Sequence, residues 1–363
     1  METIRIKKTI LALGVIFFGL VLFYPGAITA GAQNEAGVTI MTQNVDAGTD
    51  LGFALAPLLG VPISVEEGVD LTLAEIQASH IPERADLLAA KIATEQPHLV
   101  ALQEVTLWRF GPTPETATQI LYDQLELLLS ALARRGVAYE VVALNRLTDL
   151  ALPGSNGALR YTDRDALLVR SDLRAPEFNI SDTHTHIYEA ALNFQGLIVV
   201  QGWISADVHI GNSQFRLAVT HLESPVPGVP EATEVQVAQA NELIQSLRNL
   251  TIPLVVCGDF NSDANFGNGP DATPSVALIE GAGYSDTWRI ANPSDPGYTW
   301  PLFLEDQAPP RFFARSRPFE RIDLFFSKGM DVISAERVLA PASPGSMPTY
   351  GSDHAGVIAT FQP

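Results

Sequence analysis

The stretch LVVCGDFNSD, residues 254–263, decides how the chain is interpreted. It begins with an apolar run typical of a buried strand and ends with Asp259, Asn261 and Asp263. Asp and Asn are common turn residues at strand ends, so a purely structural role is one explanation. They are also hard oxygen donors that can line a site at the carboxyl end of a sheet. These ten residues alone leave both explanations open.

The same pattern recurs along the chain, where polar side chains interrupt or follow apolar strands. The further examples are Asn44 in MTQNV, Glu104 in LVALQEV, His221 in RLAVTHLES, Asp323 in RIDLFF, and Asp353 and His354 in YGSDHAGVIATF. Ordinary turn chemistry explains any single example. Together they are carboxylates, carboxamides and imidazoles, which is the set of side chains typical of a hydrolytic metal site.

Composition sets limits on the class of protein. The chain has 363 residues, of which 47% are hydrophobic, so it can bury a large core. It has 41 acidic and 22 basic residues and a formal net charge of -19. This charge repels phosphate backbones and disfavours tight, non-specific binding of nucleic acid. The single cysteine, Cys257, excludes an internal disulfide and is predicted to be a packed thiol.

The amino terminus has the order of a secretory signal. Residues 1–8 are basic, residues 10–24 are apolar apart from glycines, and small residues follow at 27–32. A membrane anchor is the alternative, although the apolar run is short for a span of about 20 residues. We therefore expect a signal peptide or anchor at 1–32, a folded domain at 36–363, and a location outside the cell or in the cell envelope.

The apolar periodicity predicts more strands than helices. Strands are predicted at 38–45, 99–105, 137–144, 166–170, 197–209, 214–221, 253–257, 321–327, 332–338 and 356–361. Helices are predicted at 81–95, 116–135, 231–248 and near 275–280. Several connections are too short for a crossover helix, which favours mixed sheets with helices outside. The insertion at 48–80 has no assigned role.

Taken in order, the motifs QNV, LQEV, THL, GDFNSD, RID and GSDH resemble those of the endonuclease/exonuclease/phosphatase superfamily, the DNase I-like phosphoesterases. The resemblance runs from about Val38 to the carboxyl terminus. It implies a four-layer α/β sandwich, in which two mixed β-sheets pack face to face with helices outside. It also implies a metal-dependent phosphoric ester hydrolase that uses Mg²⁺, with Mn²⁺ able to substitute.

The resemblance assigns roles to the polar residues at the strand ends. Glu104 resembles the principal Mg²⁺ ligand, with Asn44 beside it, and Asp353 resembles a second metal or orienting carboxylate. Asp259 resembles the residue that orients or deprotonates the attacking water. Asn261 would hold that water or a phosphoryl oxygen.

The resemblance also assigns roles to the two histidines. His354 would contact the phosphate, and Asp323 would fix its tautomer and raise its pKa. His221 would lie on the other side of the phosphate. Asp165 in DRDALLVR departs from the family pattern, and its role is left open. Asp263 is expected to cap a turn.

The substrate is less well defined than the chemistry. We expect an exported Mg²⁺-dependent phosphoesterase that hydrolyses a phosphodiester or phosphomonoester, and a small molecule or phospholipid head group is favoured as the substrate. A secreted nuclease acting on DNA or RNA is one alternative, and a catalytically silent binding protein is another. The silent protein is disfavoured because none of the metal and imidazole-site residues is missing, namely Glu104, Asp259, Asn261 and His354. No protein partner is implied.

Several other residues are expected to be structural. His184 and His186 in THTH share one face of a strand, and with no third metal ligand nearby a surface strand is the favoured interpretation. Trp108, Trp288 and Trp300 could line a substrate cleft, although buried aromatic residues are commoner.

Overall fold

The described residues of the computed structural model are 37–173, 175–226, 228–267, 271–302, 319–341, 343 and 350–363. The predicted signal or anchor at 1–32 lies outside them. Within the described ranges, no helix has the length and apolar character needed to cross a membrane.

The strands are β1 (Val38–Asn44), β2 (Leu99–Gln103), β3 (Leu107–Gly111), β4 (Gln119–Asp123), β5 (Tyr139–Gly154), β6 (Gly157–Arg170), β7 (Phe178–Ile187), β8 (Leu192–Phe194), β9 (Leu197–Val199), β10 (Gly202–Ile210), β11 (Ser213–His221), β12 (Leu254–Asp259), β13 (Ser285–Asp286), β14 (Asp323–Lys328), β15 (Asp331–Val338) and β16 (Gly356–Gln362). The helices are α1 (Gly52–Leu55), α2 (Val65–Ala78), α3 (Ile81–Glu95), α4 (Gln124–Arg134), α5 (Pro230–Leu247), α6 (Ser275–Gly281) and α7 (Thr287–Ala291).

Two mixed sheets form the centre of the fold. The first has the order β15-β16-β1-β2-β6-β3-β4, with β5 also paired to β6. The second has the order β13-β14-β12-β11-β10-β7. In the first sheet β1 and β2 run parallel, and in the second β11 and β12 run parallel, while the other pairings are antiparallel. The predicted mixed sheets are therefore confirmed.

The two sheets pack face to face, with helices on their outer faces. Ile40 and Ala101 of the first sheet share one buried cluster with Val219, Val255 and Phe325 of the second. Full burial of each such aliphatic side chain contributes about 1.5–3 kcal/mol. Side chains of α3 and α4 cover the outer face of the first sheet, and those of α5 and α6 cover the outer face of the second. The predicted four-layer sandwich is confirmed.

Helix α3 shows how local sequence sets an element. Pro82 lies in its first turn, where a missing N–H costs nothing, and Leu88, Ala89 and Ile92 form its buried face. Gln96 ends the helix in a left-handed conformation, at φ 45°. The predicted bounds, 81–95, agree with the observed ones.

The helix predicted at 116–135 is wrong in its first half. Gln119–Asp123 instead pairs with β3 as strand β4, which lies at the edge of the first sheet. Asp123 then caps α4, since its side chain accepts a hydrogen bond from the N–H of Glu126. The helical apolar period of the sequence extends to the amino-terminal side of Asp123, although the helix itself begins only after this residue.

The insertion at 48–80 forms α1 and α2. Ser64 caps α2 by accepting a hydrogen bond from the N–H of Glu67. The buried residues of α2 include Val69 and Ile76, which pack with Trp108 of β3. The insertion therefore covers one end of the first sheet.

Candidate active site

The strand pairings bring the predicted polar residues to one edge of each sheet. Asn44 is the last residue of β1 and Glu104 comes directly after β2, so the parallel pairing of these strands brings both residues to the same edge. Because β11 and β12 are parallel, His221 and Asp259 end neighbouring strands, and the register places Asp323 opposite Asp259. The two edges meet around Asp259.

Asn44 links the two sheets at this point. Its Nδ2 donates to Glu104 Oε1 at 2.8 Å and to Asp259 Oδ2 at 2.9 Å. Its Oδ1 accepts a hydrogen bond from the N–H of Asp46 at 2.9 Å. In this arrangement the amide nitrogen of the Asn44 side chain orients two carboxylates. The side-chain oxygen is occupied by a backbone N–H group. Its role as a metal ligand stays a prediction.

Glu104 is held by the backbone of the loop after β1. Its Oε2 accepts a hydrogen bond from the N–H of Ala47 at 2.7 Å. Glu104 itself has a left-handed backbone at φ 58°, and Asn261 has one at φ 44°. Such conformations cost free energy for residues other than glycine, and they cluster at functional sites.

His354 forms a buried pair with Asp323, as the resemblance implied. Nδ1 of His354 lies 2.9 Å from Asp323 Oδ2 and 3.8 Å from Asp259 Oδ2. Burial lowers the pKa of His354, but the charge and hydrogen bond of Asp323 outweigh it and raise the pKa to about 9. The pairing of Nδ1 with Asp323 leaves Nε2 as the nitrogen that can meet a substrate.

His221 has its own buried carboxylate, Asp165. His221 Nδ1 lies 3.5 Å from Asp165 Oδ1, and Asp165 is fully buried. Burial lowers the pKa of His221, but Asp165 outweighs it and raises the pKa well above its ordinary value. The sequence left the role of Asp165 open, and the structure places it behind this imidazole.

The remaining predicted residues lie at the same edge. Asp353 Oδ1 is 3.9 Å from His354 Nε2, and the indole Nε1 of Trp300 donates to Asp353 Oδ2 at 3.3 Å. Asn261 donates through Nδ2 to the carbonyl of Leu222 at 2.9 Å, which fixes its side chain.

The prediction that Asp263 caps a turn is confirmed. Its Oδ1 accepts hydrogen bonds from the N–H groups of Asn265 and Arg321, and its Oδ2 accepts one from Gly267. Cys257 is a buried thiol whose pKa is raised by burial, as predicted.

Two clusters within this edge could hold a cation. Glu104, His221 and Asp259 place donor atoms within 4.8 Å of one another, and so do Asp259, Asp323 and His354. Asp259 is common to both. Asp323 Oδ1 is buried without a hydrogen-bond partner among the described residues, so it has capacity for a further donor or an ion. The residues present therefore fit a divalent metal.

Asp259 has the properties of a base that works near neutral pH. Burial and the nearby charge of Asp323 raise its pKa to about 6. Its Oδ1 accepts a hydrogen bond from the N–H of Asn261 at 2.9 Å. The carboxylate is therefore fixed in place and ionised at neutral pH, with a pKa well suited to accept a proton.

Sequence reasoning missed two buried acids near His221. Burial raises the pKa of Asp163 to about 7 and that of Glu223 to about 8. Asp163 lies two residues before Asp165, and Glu223 lies two residues after His221. Alternation along a strand could have identified Asp163, because residues two apart on β6 share a face.

Sequence reasoning also missed the residues that hold the last loop. Ser352 Oγ donates to the carbonyl of Asn44 at 2.7 Å and accepts from the N–H of His354 at 3.0 Å. Gln43 donates to the carbonyl of His354 at 3.2 Å. These contacts tie His354 to the end of β1. Gln43 lies in the motif QNV and Ser352 lies in the motif GSDH, so the motifs themselves could have indicated both residues.

The fold and these paired carboxylates and imidazoles define a metal-dependent phosphoester hydrolase. The chain belongs to the endonuclease/exonuclease/phosphatase family, whose model matches residues 41–354. The resemblance and the enzyme class predicted from the sequence are thereby confirmed.

Individual relatives are distant. Nocturnin from Mus musculus is 22% identical over 296 residues, which is 79% of this chain and 59% of nocturnin. The chain therefore spans about three-fifths of that relative. An endonuclease/exonuclease/phosphatase from Beutenbergia cavernae is similar in structure, with a TM-score of 0.56 and 21% identity over 90% of this chain and 72% of the other. The structure of TDP2 from D. rerio, complexed with a single-strand DNA product, is also similar, with a TM-score of 0.52 and 16% identity. The match covers 90% of this chain and 99% of the TDP2 chain. These structures share the fold.

Proposed function

We propose that the protein is an exported, Mg²⁺-dependent phosphoesterase that hydrolyses a phosphodiester or phosphomonoester. The observation that carries the proposal is the pair of donor clusters that share Asp259, each of which contains an imidazole backed by a buried carboxylate. One cluster contributes Glu104 and His221 beside Asp259, and the other contributes Asp323 and His354.

The donor chemistry supports Mg²⁺ as the metal. Carboxylates predominate around Asp259, and Mg²⁺ prefers oxygen ligands and typically takes one or two carboxylates while keeping several waters. Glu104 would be the principal ligand, and Mn²⁺ would be accepted by the same oxygens. The bound metal would neutralise charge on the phosphate in the transition state.

The protein's own residues can perform the proton transfers of hydrolysis. Asp259 would take the proton of the attacking water, and Asn261 would hold that water or a phosphoryl oxygen. His354, protonated near neutral pH, would donate from Nε2 to a phosphoryl oxygen. His221, supported by Asp165, would donate to the oxygen on the other side or to the leaving group.

The surroundings of His354 bear on the substrate. The ring of Trp300 lies 6.3 Å from that of His354, between centroids, and the ring of Phe319 lies 6.2 Å from that of Trp300. Phe319 is 37% exposed. An aromatic surface beside the phosphate site suits a small phosphoester with an apolar or planar group. The net charge of -19 opposes a long polyanion.

A nuclease is the second candidate, because base stacking would also use the exposed ring of Phe319 and the partly exposed ring of Trp300. The D. rerio TDP2 structure, with its single-strand DNA product, supports keeping this candidate. Activity on DNA or RNA that exceeds activity on all small phosphoesters would favour it.

A substrate panel with a metal-ligand variant tests the proposal. The panel contains DNA, RNA, sphingomyelin, inositol phosphates and a chromogenic phosphodiester, each with Mg²⁺ and with EDTA. We expect hydrolysis of at least one phosphoester that EDTA abolishes. Glu104→Gln should raise the Mg²⁺ concentration for half-maximal activity at least about tenfold, because it removes the main anionic donor.

Glu140→Gln, which removes an exposed carboxylate on β5, is the matched control and should behave like the unaltered protein. Full activity in EDTA would contradict metal dependence. An unchanged Mg²⁺ requirement in Glu104→Gln would show that this residue is not the ligand.

Export is tested by amino-terminal sequencing. If residues 1–30 are a cleaved signal, the recovered protein should start between Gly31 and Gln33. Cleavage removes three basic residues and one acidic residue, so the net charge would change from -19 to -21. An intact Met1 on membrane-bound protein would support an anchor instead.

A further inference from the structure

The outer face of the second sheet carries a pocket of about 280 Å³ that shares no residue with the candidate active site. Strand β7 forms one wall with Asp182, His184 and His186, and helix α5 forms the opposite wall. Trp203 and Arg216 line the space between them. The pocket therefore collects two imidazoles and a carboxylate on one strand.

The geometry of β7 explains this convergence. Residues two apart on a strand share a face, so His184 and His186 lie side by side, with ring centroids 6.1 Å apart. The pairing with β10 shifts register between Ser205 and Asp207, and Asp182 has φ 46° at this irregularity. This irregularity accompanies the approach of Asp182 to the same face, where its Oδ1 lies 2.9 Å from His184 Nε2.

We propose that Asp182, His184 and His186 form a second metal site, which takes a nitrogen-preferring divalent ion such as Zn²⁺. The carboxylate of Asp182, two residues before His184 on the same strand, is the third donor beside the two imidazoles. Imidazole nitrogen suits Zn²⁺, whereas the oxygen-rich clusters around Asp259 suit Mg²⁺. Three protein ligands and a water complete a four-coordinate zinc site.

The distance between the donors of Asp182 and His184 is close to what zinc requires, while the two imidazoles lie farther apart. Two tetrahedral ligand atoms about 2.0–2.2 Å from zinc lie about 3.4 Å apart, so the contact of 2.9 Å between Asp182 and His184 needs only a small opening. Two imidazoles on one tetrahedral zinc have ring centroids about 5 Å apart, against 6.1 Å here. The donors do not yet converge as tightly as in the clusters around Asp259, so binding requires side-chain movement.

The side chains that must move are exposed. The side chains of His184 and Asp182 are 55% and 52% exposed, so His184 can change rotamer with little resistance, whereas Asp182 must also adjust its contact with Arg216. His186 is fixed instead, since its ring stacks on Trp203 with centroids 3.9 Å apart and an angle of 12°. His186 would therefore stay in place, and His184 and Asp182 would move toward the ion to complete the site.

The local charges permit a cation. The guanidinium of Arg216 contacts the carboxylates of both Asp182 and Asp207, so two acidic groups offset its charge. Glu242 on α5 adds a further acidic group to the pocket wall.

The test measures Zn²⁺ binding to the full chain by competition with a chromophoric chelator, in excess Mg²⁺ to occupy the oxygen-rich clusters. We expect one Zn²⁺ per chain, with affinity reduced at least about tenfold in His184→Ala and in His186→Ala. His209→Ala is the matched control, because this histidine lies on β10 and contacts Ser181 instead of the pocket. Bound Co²⁺ should show the visible absorption of a tetrahedral nitrogen site, and the two variants should lose it.

Two outcomes would overturn the proposal. Zn²⁺ affinity that is unchanged in both histidine variants would show that the pocket does not bind the metal. Loss of Zn²⁺ binding in Glu104→Gln, with both histidine variants unaffected, would place the ion in the candidate active site. Mg²⁺-dependent phosphoesterase activity should be unchanged in His184→Ala, so failure of the proposed function would leave this test intact.

Discussion

Asp259→Asn is expected to lower kcat by about 10²–10⁴-fold, the usual contribution of a general base. The carboxylate is common to both donor clusters, and its pKa of about 6 leaves it ionised at neutral pH. The amide cannot accept a proton, so water activation is lost. The folded form bears a cost for the ionised Asp259, because burial raises its pKa. Removing that charge should therefore leave Tm within about 4 °C of its original value. Steady-state kinetics and thermal melts on the same preparations measure both effects.

Asp263→Asn is the matched control for Asp259→Asn. Asp263 lies on the same loop and is equally buried, but its oxygens cap backbone N–H groups and face no cluster. We expect this variant to lose stability, by about 1–3 kcal/mol for an interrupted buried hydrogen-bond set, and to keep kcat within about tenfold. If Asp259→Asn retained kcat within tenfold, another group would have to activate the water.

The composition of the site could be predicted from the sequence because its signal is local. A polar residue that follows an apolar run, as Asn44 and Asp259 do, is visible without knowing the fold. The order of such motifs then identified the family, and the family supplied the pairing of Asp323 with His354. The contact of Asp165 with His221 was not predictable in this way, because it depends on how the middle of β6 faces the end of β11.

The error in the predicted fold also arises from contacts between residues that are distant in the sequence. The segment at 116–135 has a helical apolar period, but its first residues pair with β3, and pairing with a distant strand cannot be read from a local period. The third donor of the pocket on β7 was missed for a different reason. Asp182 lies two residues before His184, so simple alternation already places it on the face of His184 and His186, and a carboxylate was not counted as a donor there.

The pH dependence of activity should depend on Asp323. The pKa of His354 is raised to about 9, so its ring stays protonated at neutral pH and loses its proton as the pH rises through that value. Activity that needs the imidazolium should therefore fall on the alkaline side near pH 9. In Asp323→Asn the support for the charge is removed, and the alkaline limb should move toward acid, toward the ordinary histidine pKa of about 6.5.

A double-mutant cycle decides whether Asp323 and His354 work as a unit. Asp323 is 1% exposed and lies opposite Asp259, so it needs a charged partner to be buried in this position. We expect His354→Ala to lower kcat by about 10²–10³-fold and Asp323→Asn to lower it by no more than that. Because both residues act through one ring, the double variant should lose little more than His354→Ala alone. A double variant whose loss equals the product of the two single losses would show that Asp323 acts independently of His354. In that case Asp323 would have to serve the neighbouring Asp259, whose pKa it raises, and the acid limb of the profile would shift in Asp323→Asn instead of the alkaline one.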